Sequence, residues 1–246
     1  MPTLYGLAQS PFTEKARWAL DHHAIAYRYH EHVPLLGEVF LRLKARGRSP
    51  GTKATVPLLV DGPEVLTTSL AIARYADRAG RGAALFPEGR LGDVLRWADV
   101  SDRILDIGRA AVMEGLKQNK TAQREALPSF IPGALRGALA PVAVTGALFL
   151  SSKHGVPKDA AREAAKLPAL LDEVRSALGG TSGSFLLSAM TFADIAIAAS
   201  LQVLRPREAS PFGPGTREIW AHEELAKEYA DLVAWRDKLY REQRRD

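Results

Sequence analysis

Every strand-like run of this 246-residue chain lies within its first 67 residues, and beyond about residue 90 only helical periodicity appears. A chain divided in this way reads as a small α/β domain followed by an all-helical one. Residues 3–7 are a short β-prone run. Ser10-Pro11 then opens a helix, since Ser is a favoured N-cap and Pro a favoured first helical residue. Phe12, Ala16, Ala19 and Leu20 recur at i, i+4, i+7 and i+8 and give that helix one apolar face. Residues 25–29 read as a second strand, and Val39, Phe40 and Leu43 as a helix that Gly47 ends. Residues 56–60 and 64–67 read as third and fourth strands, and Ser69 opens a helix with Ile72, Tyr75, Ala76 and Ala79 on one side. The order βαβα then ββα predicts a parallel pair joined by a right-handed crossover, then a hairpin through Asp61-Gly62, and so a mixed sheet.

Pro57 cannot donate to a strand ladder, so it belongs at a strand's first residue or on an edge. Both a cis Val56-Pro57 bond and a trans edge proline fit. A cis bond would turn the backbone so that Val56 presents its own N–H and C=O to a ligand.

After the linker at residues 80–89, rich in Gly and holding Pro87, Val94, Trp97, Ala98, Ile104 and Leu105 fall on one helical face. Leu232, Trp235 and Leu239 do the same near the end. Thr191-Phe192-Ala193-Asp194 has capping-box spacing: Thr191 accepts from the N3 amide, Asp194 reaches back to the Thr191 amide, and Met190 and Ile195 form a hydrophobic staple. The residues that follow are apolar all round, as in a buried helix, so Thr191 and Asp194 are read as folding determinants.

With no cysteine in the chain, disulfide frameworks, Cys-ligated metals and a protein-thiol nucleophile are excluded. The net charge of +5 raises nucleic acid and acidic membranes as partners, but Lys and Arg are interleaved with Asp and Glu. The basic tail at 241–245 contains Glu242 and reads as a solvated helix face, so no nucleic-acid partner is expected. The uncharged stretch 137–152 is shorter than the roughly 20 residues of a membrane span and holds Pro141, so it reads as a buried helix, with no membrane contact expected. The N-terminus has no basic region leading into an apolar one, which argues against a secretory signal and for a cytoplasmic protein. His22-His23 and His30-x-His32 read as surface residues, and no histidine spacing predicts a metal.

Four segments, in order and at matching spacing, resemble the glutathione transferase family. Ser10-Pro11-Phe12 with Lys15, Arg17 and Leu20 resembles the strand-to-helix signature of its serine-type classes. Val56-Pro57-Leu58-Leu59 is similar to the cis-proline strand, Thr68-Ser69-Leu70-Ala71-Ile72 with Tyr75 to the acidic-Ser-x-Ala-Ile motif, and Thr191 to Ile195 to the second-domain capping box. The resemblance implies a thioredoxin-like glutathione-binding domain (1–80), an all-helical C-terminal domain (90–246) and a homodimer.

It also implies the chemistry. Glutathione is the cosubstrate, with no metal, and its thiolate attacks an apolar electrophile. An ordinary thiol has a pKa of about 8.5, which falls near a helix N-terminus or hydrogen-bond donors. Ser10 offers both, against the plainer reading of Ser10 as an N-cap alone. By the same resemblance Thr55, Val56 and Pro57 hold the cysteinyl portion, and Thr68 and Ser69 the γ-glutamyl end. Lys44 and Lys53 stand for the glycine carboxylate, while Phe12, Arg103 and Ile107 are candidates for lining the second pocket. Two positions depart from the family pattern: Thr68 replaces a Glu or Gln, and Thr55 a Lys or Gln. The first departure keeps a second function open, a non-catalytic ligand-binding or interaction protein of the same fold. A glutathione-dependent disulfide or dehydroascorbate reductase needs Cys at Ser10, whereas glutathione peroxidase activity does not.

Overall fold

The computed structural model describes residues 1–33, 37–47, 54–127, 131–154, 160–181 and 184–244. The chain gathers into two compact units, one of Met1–Ser101, Ala177–Ala199 and Trp235–Asp246, the other of Asp102–Ser176 and Ser200–Ala234.

The first unit contains a four-stranded mixed sheet of β1 (Thr3–Gly6), β2 (Arg28–Glu31), β3 (Leu58–Asp61) and β4 (Glu64–Leu66), in the order β2-β1-β3-β4. β1 and β2 are parallel, from Thr3 opposite Arg28 to Gly6 opposite Glu31. β3 runs antiparallel to both β1 and β4, pairing Tyr5 with Leu58 and Leu59 with Leu66. The hairpin turns through Gly62, whose φ of 56° suits a residue without Cβ. With α1 (Pro11–His22), α2 (Glu38–Lys44) and α3 (Ser69–Ala79), the order is the expected βαβαββα. Strand alternation sends Tyr5 and Leu58 to one face, where they meet Leu41 of α2 and Ala45, the first residue of its 3-10 extension. Leu4 and Leu59 therefore face the other side, where they are buried as well.

β2 starts three residues later than its β-prone sequence suggests. The helix stop consumes the difference: Ala24 takes φ 53°, its amide bonds Asp21 O, and the Ile25 amide reaches back to Leu20 O at 2.9 Å. That is a Schellman ending with Ala in the position usually given to Gly. Ile72, Tyr75 and Ala76 of α3 are buried as expected, but Ala79, at the last turn, is exposed. His23 and His32 are also buried, contrary to a surface reading. The end of α1 lies against the chain after α3, with His23 Nδ1 3.2 Å from the Arg81 carbonyl and the Arg81 amide bonded to His23 O.

The helical part comprises α4 (Leu91–Gln118), α5 (Lys120–Glu125), α6 (Gly133–His154), α7 (Ala160–Ala164), α8 (Leu167–Gly180), α9 (Phe192–Ser200), α10 (Pro214–Trp220), α11 (Glu223–Glu228) and α12 (Ala230–Gln243). Val94, Trp97, Ala98, Ile104 and Leu105 are buried, as are Leu232, Trp235 and Leu239. α9 is fully buried within the first unit: Phe192 stacks on Phe86, and the Ala196 carbonyl accepts from Ser101 Oγ at 2.7 Å. In the second unit, the Glu125 carboxylate caps α10 by accepting from the Gly215 and Thr216 amides. There too, Arg175 binds Asp231 with two nitrogens.

Two sequence readings are corrected. α6 contains the uncharged stretch, yet most of its described side chains are exposed, with Leu135 at 53%, and Ala140 is the buried one. The described part of α6 is rich in Gly and Ala, which contribute little apolar area to bury. The tail is not simply a solvated face, because Arg244 is buried between Glu14 and Asp21 of α1. Among the described residues no helix is long and apolar enough to cross a membrane, and no group of His, Cys, Asp or Glu could hold a metal ion.

Candidate functional site

The sheet register brings three segments to one end of the first unit. β1 ends at Gly6, β3 begins opposite Tyr5, and β4 ends at Leu66 opposite Leu59. Ser10 follows the first of these ends, Val56-Pro57 precedes the second, and Thr68-Ser69 follows the third.

The loop that carries Ser10 is tied down at several points. Gly6 lies so close to Thr13 that a Cβ there would stand 2.4 Å from Thr13 Cγ2. The Leu7 amide donates to Thr13 Oγ1 at 3.2 Å, and the Ser10 amide donates to Leu7 O at 2.9 Å. The Ala8 amide donates to both carboxylate oxygens of Glu31, at 3.1 and 3.2 Å. Tyr29 OH donates to the same carboxylate at 2.6 Å, and burial together with that bond raises the pKa of the phenol. Neither Glu31 nor Tyr29 was a sequence candidate. Only the pairing of Glu31 with Gly6 in the β1–β2 ladder brings it to the loop, and no local motif announces that.

Ser10 stands at the N-cap of α1 with extended backbone, φ −83° and ψ 124°, and its carbonyl accepts from the Glu14 amide at 3.0 Å. Its hydroxyl makes no capping bond and has no partner among the described residues. The plain N-cap reading of that side chain therefore fails on geometry, and the hydroxyl is available to donate to a ligand at the positive end of the helix.

The Val56-Pro57 bond is cis, which resolves the alternative left open by the sequence. Val56 lies just before the ladder, which begins at Leu58. Thr55 Oγ1 donates to the Thr67 carbonyl at 3.3 Å, tying this segment to the start of α3. There Thr68 is the N-cap: its hydroxyl accepts from the Ala71 amide at 3.1 Å and its carbonyl from the Ile72 amide. Ser69, the first helical residue, is 6% exposed, and its hydroxyl has no hydrogen-bond partner among the described residues. Free amides and a hydroxyl at a helix start form a setting that favours an anion.

The remaining candidates are not all brought together. Lys44 is exposed in the last turn of α2, its ammonium 5.2 Å from the Phe40 ring centroid. Lys53 lies outside the described residues. Phe12 is half-buried, with the Lys15 ammonium 4.8 Å from its ring centroid. Arg103 and Ile107 belong to the second unit, the first exposed and the second buried.

The capping box holds, with one change. Asp194 accepts from the Thr191 amide at 2.8 Å as expected, but the Thr191 hydroxyl donates to that carboxylate instead of accepting from the Asp194 amide. Asp194 also accepts from the Leu186 amide at 2.8 Å.

Residues 4–83 match the family profile described as glutathione S-transferase, N-terminal domain. No curated protein matches the chain. Among solved structures it is similar to a glutathione S-transferase from Methylobacillus flagellatus with glutathione bound, at 18% identity and a TM-score of 0.61 over 98% of this chain and 95% of that one. It is similar to a beta-etherase from Sphingobium sp. strain SYK-6 at 17% identity and a TM-score of 0.59, over 97% and 94% of the two chains. A glutathione S-transferase from Rhodospirillum rubrum F11 matches at 18% identity and a TM-score of 0.57, over 98% and 88%. Residues 4–83 thus match the profile of a glutathione S-transferase N-terminal domain, and the chain has the glutathione S-transferase fold over nearly its whole length.

Proposed function

We propose that the protein is a glutathione transferase in which Ser10 and the N-terminus of α1 stabilise the thiolate of bound glutathione. The observation that carries this reading is the Ser10 hydroxyl, without a partner among the described residues, at the end of the sheet that also holds Val56-Pro57 and Ser69. A hydrogen bond to the sulfur and a helix pole both favour the thiolate over the thiol. The thiolate attacks an electrophilic carbon, the new C–S bond forms, and the leaving group departs with its electron pair. The protein contributes a preorganised electrostatic site and forms no bond to substrate.

In this reading the Val56 backbone, flanked by Thr55 and Pro57, receives the cysteinyl portion of glutathione. Ser69 and the first amides of α3, beside Thr68, receive the γ-glutamyl carboxylate. Lys44 and Lys53 are the candidates for the glycine carboxylate, and Phe12, Arg103 and Ile107 for the apolar pocket. The functional division at 80–90, a homodimer, cytoplasmic location and peroxidase activity toward organic hydroperoxides belong to the same proposal.

A second reading, a ligand-binding protein of this fold without turnover, has one observation in its favour. The Thr68 hydroxyl is committed to its helix cap, so it offers no charge to the γ-glutamyl ammonium. Glu31, at the same end of the sheet, is engaged too, with the Ala8 amide and Tyr29.

Calorimetric titration with glutathione, alongside conjugation of a generic aryl halide, separates the two readings. Under the transferase reading the wild type binds and turns over, and Ser10→Ala still binds but loses most of its rate. Absence of binding at millimolar glutathione overturns that reading in favour of the second.

A further inference from the structure

The last described residue of the chain is fastened to the helix that begins at Ser10. Arg244 Nε lies 2.9 Å from Glu14 Oε1 and its Nη1 2.7 Å from Asp21 Oδ2, with the arginine side chain only 6% exposed. Tyr240, one turn earlier, packs on Trp18 of α1 with ring centroids 4.4 Å apart. The end of α12 thereby grips α1 in its first turn, its middle and its last turn.

Glu14 stands one turn after Ser10 on the same helical face, and side chains in a helix lean toward its N-terminus. A carboxylate in the first turn suits the helix dipole. The same positive pole, however, is what a thiolate beside Ser10 would use, and two anions there oppose each other. The charged groups on α1 are Glu14, Lys15, Arg17 and Asp21, with the Lys15 ammonium turned to the Phe12 ring, and Arg244 joins the two acids from the chain end. Removing Arg244 leaves Glu14 and Asp21 without the guanidinium that both carboxylates contact and lowers the net charge of this set by one. Burial works against the Arg244 charge, but Glu14 and then Asp21 outweigh it, and the guanidinium stays protonated. Because the pair is sheltered from solvent, salt screens it less than a surface pair.

We infer that Arg244 is a positioning residue for the chemistry at Ser10: it neutralises Glu14 so that the N-terminus of α1 remains available to the thiolate. This rests on the transferase reading. The test uses the full-length protein as wild type, Arg244→Met, Glu14→Gln and the double variant. The readouts are the bound thiol's pKa, from the ultraviolet absorbance of the thiolate, and the pH profile of conjugation. Arg244→Met is expected to raise the thiol pKa by about 0.5–1 unit, a roughly three- to tenfold loss of rate at pH below the thiol pKa, with the glutathione KM changed less than about twofold. Adding Glu14→Gln should return the pKa to its wild-type value, which a purely structural role for Arg244 would not allow. An unshifted pKa in a folded Arg244→Met protein, or no recovery in the double variant, overturns the inference alone. If Arg244→Met does not fold, Glu14→Gln carries the test, and a thiol pKa that fails to fall in it overturns the inference. Wild-type protein that binds no glutathione overturns the transferase reading and this inference with it.

Discussion

Replacing Asp194 with alanine removes the acceptor of three donors at once: the Leu186 and Thr191 amides, each at 2.8 Å, and the Thr191 hydroxyl at 3.1 Å. Asp194 is 0% exposed, so the two amides cannot turn to water. Stranding a buried donor costs about 1–3 kcal/mol, and losing a helix cap about 1 kcal/mol, which puts the gross loss near 3–6 kcal/mol. Against this stands the burial of the charge itself. Burial pushes the Asp194 carboxyl up to about 6 from an ordinary 3.8, although the Leu186 and Thr191 bonds pull it down. Two units correspond to roughly 3 kcal/mol by which folding favours the protonated form. The sign follows. With the folded pKa above the unfolded one, this contribution is fully present below about pH 4 and is lost as pH rises through about 6. Near neutral pH the net cost of Asp194→Ala is therefore expected to be about 0–3 kcal/mol, and it should grow on acidification from pH 7 to pH 5. Denaturant unfolding of both proteins at pH 5, 6 and 7 measures it. Conjugation activity per folded molecule should stay unchanged, because Asp194 lies outside the candidate site. Equal stabilities at all three pH values would refute the reasoning, as would a gap that narrows toward pH 5.

Three further outcomes are expected. Ser10→Ala should shift unfolding by less than about 0.5 kcal/mol, since no cap bond is lost, whereas a drop near 1 kcal/mol would restore the N-cap role. Thr68→Ala removes the acceptor of the Ala71 amide and should cost about 1 kcal/mol by the same measurement. Gly6→Ala puts a methyl 2.4 Å from Thr13 Cγ2 and should destabilise by about 1–3 kcal/mol, read as a lowered melting temperature.

What the sequence made visible was carried by residues within a few positions of each other. Ser10-Pro11, Thr191 to Asp194 and the turn at Asp61-Gly62 each declare a local geometry, and each is found where its spacing puts it. Where that local signal was absent, the reading slipped. α1 ends on Ala24 with positive φ, and without a Gly to mark the stop the second strand was placed three residues early. The lack of charge in the stretch of α6 does not say whether its small residues find anything to pack against. The contacts of Glu31 and Arg244 are not legible in the sequence for a different reason. Each acts on a partner brought close only by folding, Ala8 from 23 positions away and Glu14 from 230.

Two helices start at the same end of the sheet with hydroxyl residues at their N-caps, and they use them differently. Thr68 spends its oxygen on the Ala71 amide, which is what a cap does for its own helix. Ser10 holds the backbone of a cap, its carbonyl accepting from Glu14, yet leaves its hydroxyl unused among the described residues. A cap bond there would stabilise the helix by about 1 kcal/mol. Four contacts through Thr13, Leu7 and Glu31 instead hold the loop in the position where that bond is not made. A loop fixed by so many bonds does not need the hydroxyl for its own shape, so the donor remains for whatever occupies the pole of α1. The difference between Thr68 and Ser10 separates a residue that serves the fold from one free to serve a ligand, and Ser10-Pro11 read alone does not show it.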